Sequence, residues 1–133
     1  MTPAFLDTSA ILALVNSKDE HHSAARRAFD SLRARRASLL TTSYVLVETY
    51  ALLMRRMGPA AARAFRSDLA PLCEVVWIDE ATHELGLDLL LDRNVRRLSL
   101  VDAVSFVVMR KRRVDEAFAF DPHFEQEGFT PVS

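Results

Sequence analysis

The chain has 133 residues, half of them apolar, a net charge of −1 at neutral pH and a single cysteine. That length suits one domain (residues 1–133) with its own core, Cys73 cannot form an internal disulfide, and the near-neutral charge excludes binding of nucleic acid by bulk electrostatics. No run approaches the roughly 18 consecutive apolar residues of a membrane span, and the N-terminus lacks the basic region of a signal peptide, so a cytoplasmic protein with no membrane association is expected.

In chain order, residues 3–7, PAFLD, predict a short buried strand, and TSAILALV a helix after its Thr/Ser start. Ser17 and Glu20 have capping-box spacing and predict a second helix through about Arg36, with an apolar stripe of Ala25, Ala28, Phe29 and Leu32. SLLTT predicts a strand, and Ser43 to Met57 an apolar helix stopped at Gly58-Pro59, where the next helix starts and runs to about Leu72. EVVWI, residues 74–78, reads as a strand with Trp77 in the core, and Asp79 as the cap of a helix from Glu80 to about Asn94. Ser99 opens a helix to about Arg113. EAFAF, residues 116–120, predicts another strand, followed by a turn or short helix from His123 to Glu127 and an edge strand at Thr130 to Val132. Strands that are short apolar runs, alternating with helices, imply a parallel sheet covered on both faces, an α/β/α sandwich.

All but two of the 17 basic residues are arginine, the exceptions being Lys18 and Lys111. The arginines gather at Arg26/Arg27, Arg33/Arg35/Arg36, Arg55/Arg56, Arg93/Arg96/Arg97 and around Arg110 to Arg113. Such clusters complement the negative ends of helix dipoles, and the guanidinium fork also suits phosphate.

The acids are more informative where they stand alone. Asp7 is the only charge between Met1 and Val15, Glu48 the only one between Thr41 and Met54, and Asp102 the only one between Leu98 and Met109. Asp121 is the only acid between Ala117 and Phe124. The helical neighbours of Glu48 are Tyr44, Val45, Ala51 and Leu52, which turn it toward the core side. Taken singly these acids have ordinary explanations: Asp102 has capping-box spacing from Ser99, Asp7 and Asp121 can cap turns, and Glu48 can pair with an arginine. Taken together, four isolated carboxylates in apolar surroundings call for a shared cation, because an unpaired buried carboxylate costs several kcal/mol. Asp7 and Asp121 both follow apolar strands, so both belong at the carboxyl edge of the sheet, where ligand crevices open. Hard oxygen donors of this kind select Mg²⁺ or Mn²⁺.

The segments FLDTSAIL, YVLVETYALL, LSLVDAVSFVVM and FAFDPHFEQEGF, in this order and spacing, resemble the PIN-domain family, in particular the VapC-type toxins of toxin–antitoxin pairs. The resemblance implies a PIN-like sandwich and a Mg²⁺- or Mn²⁺-dependent endoribonuclease that cleaves RNA by in-line attack of water on phosphorus. It makes Asp7 and Asp102 the principal metal ligands, with Glu48 and Asp121 completing an acidic pocket. It also places Ser9 and Ser105 against the substrate, and implies a homodimer and an antitoxin whose tail enters the acidic groove. Two other classes stay open on the residues: a Mg²⁺-dependent phosphohydrolase with Asp7 as nucleophile, although D-T-S lacks a second aspartate, and a non-catalytic binding module of the same fold. His21, His22 and His123 have poor spacing for a metal site and are read as packing or groove residues. Cys73, without a basic neighbour, is not read as a nucleophile.

Overall fold

The computed structural model of the protein describes residues 2–133. Five short strands form one all-parallel sheet: β1 (Ala4–Leu6), β2 (Leu39–Thr42), β3 (Cys73–Val76), β4 (Glu116–Phe118) and β5 (Thr130–Pro131). Their order is β3-β2-β1-β4-β5. Ala4, Phe5 and Leu6 are all fully buried, so β1 is covered on both faces, which is why its sequence is a continuous apolar run without alternation. Phe5 lies in register with Leu40 on one side and Ala117 on the other. The chain builds outward from β1 through β2 to β3 and then returns to the other side of β1 for β4. The strand order therefore reverses between β1 and β4, and at such a switch point a crevice opens beyond the carboxyl ends of the strands.

The helices are α1 (Thr8–Val15), α2 (His22–Ala34), α3 (Ser43–Arg56), α4 (Pro59–Ala64), α5 (Glu80–Arg93), α6 (Leu100–Arg112) and α7 (His123–Gln126). Four of them are capped by the side chain of the preceding residue, namely Asp7, Thr42, Asp79 and Ser99, each accepting an N–H of the first turn. Gly58 takes φ +91°, conformational space open to glycine, and Pro59 begins α4. The arginine clusters fall largely at helix ends: Arg33, Arg55, Arg56, Arg93, Arg110 and Arg112 all occupy last turns. Several are paired, Arg35 with Glu116, Arg93 and Arg110 with Glu127, and Arg112 with Glu74.

Three local expectations are corrected. The Ser17/Glu20 capping box does not form, and α2 starts at His22. Asn16 Oδ1 and Asp19 Oδ1 instead accept the N–H groups of Lys18 and His21, a pair of side-chain turns that competes with helix, and the His22 ring Nδ1 lies 2.7 Å from the Ala13 carbonyl. The helix from Pro59 loses its regular pitch after Ala64, passing through wider turns over Phe65–Leu69 and a 3₁₀ turn at Ala70–Leu72, where Pro71 has no N–H to give. Trp77 is not a core strand residue: β3 ends at Val76 on the edge of the sheet, and Trp77 is 74% exposed. Burial pushes the Cys73 thiol up to about 11. Among the described residues, no helix is long and apolar enough to cross a membrane.

α5 packs tightly against α6 at Gly86. A Cβ there would lie 2.4 Å from Val104 Cγ2 and 3.2 Å from Val104 Cα, so the contact admits no side chain. Gly86→Ala is therefore expected to lower stability by about 1–3 kcal/mol through overpacking, despite the better helix propensity of alanine. The urea midpoint measures this, and a midpoint at or above that of the wild type contradicts the close contact.

Candidate metal centre at the carboxyl edge of the sheet

Asp7 follows β1 directly and caps α1. Its Oδ2 accepts the Ser9 N–H at 3.1 Å and the Ser9 hydroxyl at 2.7 Å, while its own N–H donates to Phe118 O across the β1–β4 junction. Ser9 Oγ accepts the Phe120 N–H at 2.9 Å, so one hydroxyl orients Asp7 and also pins the segment after β4 that leads to Asp121. On the other side, the Thr41 hydroxyl donates to Leu6 O at 2.8 Å and the Thr49 hydroxyl to Thr8 Oγ1 at 3.2 Å, tying β2 and α3 to the end of β1.

Asp102 enters from the first turn of α6 in a reciprocal capping box: its N–H donates to Ser99 Oγ at 3.0 Å and its Oδ2 accepts the Ser99 N–H at 3.3 Å. Glu48 projects from α3, half-buried. Asp121, also half-buried, accepts the His123 N–H through Oδ1 at 2.9 Å. These four acids come together on one cleft of about 270 Å³, along with Thr8, Ser9 and Ser99. Ser105 does not join them: it is fully buried, its hydroxyl donates to Val101 O one turn back, and it is absent from the lining of the cleft. Ser99, read from sequence only as a cap, does line it. His123, set aside on spacing, has Nδ1 2.7 Å from Asp121 Oδ1 and 4.0 Å from Asp102 Oδ2. His21 and His22 lie elsewhere, one stacked on Phe120 at 4.6 Å and the other against Ala13 O.

The electrostatics follow from burial. Asp7 is 3% exposed and its Oδ1 has no hydrogen-bond partner. Burial, reinforced by the neighbouring Asp102 and Glu48, raises its carboxyl to about 7 against the lowering effect of Ser9. Asp102 is raised to about 6, again chiefly by burial, with Asp121 and Glu48 adding repulsion. A buried carboxylate oxygen with no donor, on a residue that shares a cleft with three other acids, favours a cation, and an all-carboxylate oxygen set suits a hard divalent ion.

The PIN domain family matches residues 4–129. The chain belongs to this family. Over 131 residues it is 38% identical to the 23S rRNA-specific endonuclease VapC20 of Mycobacterium tuberculosis, with 96% of each chain covered. A crystal structure of M. tuberculosis VapC20, described as a sarcin–ricin loop cleaving toxin, matches with a TM-score of 0.84 and 36% identity over 96% of both chains. FitAcB from Neisseria gonorrhoeae matches with a TM-score of 0.70 over 98% of this chain and 96% of that one, and at 11% identity it shares the fold alone.

In this PIN-domain chain, the folded state holds the protons of Asp7 and Asp102 more tightly than the unfolded chain does. Their contribution to stability is therefore most favourable below the unfolded value of 3.8, and it is lost as pH rises to about 7. Ionised Asp7 then costs about 4 kcal/mol when no cation is bound. In chelator at pH 8, Asp7→Asn is expected to be more stable than the wild type by about 2 kcal/mol or more, the gain shrinking by half or more at pH 5. Denaturant titrations at the two pH values check this, and a variant no more stable than the wild type at pH 8 rules out the uncompensated carboxylate.

Proposed function

We propose that the protein is a divalent-metal-dependent endoribonuclease, the toxin of a toxin–antitoxin pair, with Asp7, Glu48, Asp102 and Asp121 as its catalytic acids. The observation that carries this reading is the unpartnered, buried Asp7 Oδ1 within a cleft walled by the other three acids. Family membership and the 38% identity to an rRNA endonuclease support the nuclease assignment and make ribosomal RNA, in the sarcin–ricin loop, the first substrate to test.

In this reading Asp7 and Asp102 hold Mg²⁺ or Mn²⁺, with Glu48 and Asp121 completing the donor set. The bound ion supplies Lewis-acid stabilisation of negative charge on the phosphoryl oxygens. The chain's own residues supply position. Ser9 holds Asp7 Oδ2 and leaves Oδ1 without a hydrogen-bond partner, and the Ser99 box fixes the rotamer of Asp102. Water attacks the backbone phosphorus in line with the departing 3′ oxygen: a new P–O bond forms, the P–O3′ bond breaks and a proton passes to O3′. The products carry 5′-phosphate and 3′-hydroxyl ends. Four carboxylates on one cleft repel a bare phosphodiester, so cleavage depends on the ion for binding as well as for chemistry. The same acidity favours a basic segment of an antitoxin as inhibitor, and the exposed apolar residues of α3, Val47 and Met54, offer part of a surface for that partner or for a homodimer.

Purified protein incubated with ribosomes and with a sarcin–ricin loop oligonucleotide, in Mn²⁺ or Mg²⁺, is expected to cut the RNA backbone. Asp7→Asn and Asp102→Asn are each expected to lower the rate by about 10³-fold or more, as for loss of a principal charge-stabilising element. Cleavage by either variant at the wild-type rate would falsify the assignment. Uncut rRNA alongside other cleaved cellular RNA would keep the nuclease and change its substrate.

A further inference from the structure

His123 stands outside the four acids yet faces two of them. α7 starts at this residue directly after Asp121-Pro122, and the turn closed by the His123 N–H on Asp121 Oδ1 brings the imidazole against two of the acids that line the cleft. Nδ1 lies 2.7 Å from Asp121 Oδ1 and 4.0 Å from Asp102 Oδ2, and ligand atoms of the three residues all fall within 4.8 Å of one another.

The approach to Asp121 is close without being a directed hydrogen bond: Nδ1 is buried from solvent and has no aligned partner. A neutral imidazole nitrogen with its lone pair toward a carboxylate oxygen at this separation is repelled unless a cation, a proton or a metal ion, lies between them. The spacing suits one, since an octahedral ion with bonds of about 2.1 Å holds adjacent ligands about 3.0 Å apart and opposite ligands about 4.2 Å apart. Asp7 Oδ1 is a second buried, unpartnered atom, on a residue that is 3% exposed and lines the cleft together with Asp102 and Asp121.

We propose that His123 Nδ1 is a nitrogen ligand of the divalent ion, beside Asp102 and Asp121, and that it biases the site toward first-row transition ions such as Mn²⁺ and away from Mg²⁺. The inference rests on the divalent-ion reading given above. Mg²⁺ is small and hard, keeps waters and takes oxygen donors. Imidazole is a borderline donor that transition ions accept more readily, so exchanging one oxygen position for nitrogen shifts relative affinity without changing the charge of the donor set. Asp102, shared between the capping box and this group, links the nitrogen to the remaining acids.

Pulsed electron paramagnetic resonance of Mn²⁺ bound to the full chain tests it directly. Hyperfine coupling to one ¹⁴N nucleus is expected in the wild type and its loss in His123→Asn. Mn²⁺ affinity should fall about tenfold in that variant while competition by Mg²⁺ changes much less. The wild-type spectrum alone decides the ligand question, whether or not the variant folds. Mn²⁺ that binds in an Asp102-dependent way without nitrogen coupling overturns the inference, leaving His123 as an ion-pair partner of Asp121 and the carboxylate site intact. No Mn²⁺ binding by the wild type overturns the divalent-ion reading and this inference with it.

Discussion

Everything at the carboxyl edge of the sheet depends on holding the Asp7 carboxylate out of water. β1 is the central strand, fully buried on both faces, and its next residue is an acid that the fold gives three constraints: an N–H to Phe118 O, an Oδ2 held by Ser9, and an Oδ1 with no partner. A domain whose net stability is of the order of 10 kcal/mol keeps such a group only where something else needs it. The surrounding polar contacts run toward this point. Thr41 fastens β2 to Leu6, Thr49 reaches Thr8, and Ser9 takes the N–H of Phe120, so the segments that carry Glu48 and Asp121 are registered against Asp7.

The structural and functional explanations of the acids are not alternatives. Asp7 caps α1, Asp102 completes the capping box of α6, and Asp121 closes the turn into α7. Capping fixes the side-chain rotamer through one oxygen and leaves the rest of the carboxylate to face the cleft. Rigidity of this kind is what a metal or phosphate site requires, because a ligand held by a helix terminus loses little freedom on binding. Glu48 is placed differently, from the second turn of α3, and no cap accounts for its isolation among Tyr44, Val45, Ala51 and Leu52.

The departures from expectation have separate physical causes. Ser17 and Glu20 have the spacing of a capping box, but Asn16 and Asp19 close competing turns and the His22 ring reaches the Ala13 carbonyl, a contact with the preceding helix. Trp77 has the composition of a strand core, yet β3 is an edge strand and ends one residue earlier. Ser105 has the right helical phase to follow Asp102, but its hydroxyl turns back to Val101 O inside the core. The spacing of the histidines does not show that His123 meets Asp102, on another helix, as well as Asp121. For Trp77 the deciding fact is that β3 lies at the sheet edge, whereas Ser17/Glu20 and Ser105 are settled by side-chain contacts to backbone groups two to nine residues away.

The sequence by itself determined the alternation of buried strands and helices, the parallel sheet, the helix caps at Asp79 and Ser99, and the four acids as one set. These follow from local rules: apolar runs, cap chemistry, and the cost of charge in apolar surroundings, which marks an acid wherever it stands alone. Only the tertiary structure decided that β4 returns beside β1, that Asp7 Oδ1 is left without a donor, that Ser99 lines the cleft and Ser105 does not, and that the His123 ring faces Asp102. Those depend on directions of side chains from elements far apart in the chain, and sequence spacing carries no information about direction across a sheet edge.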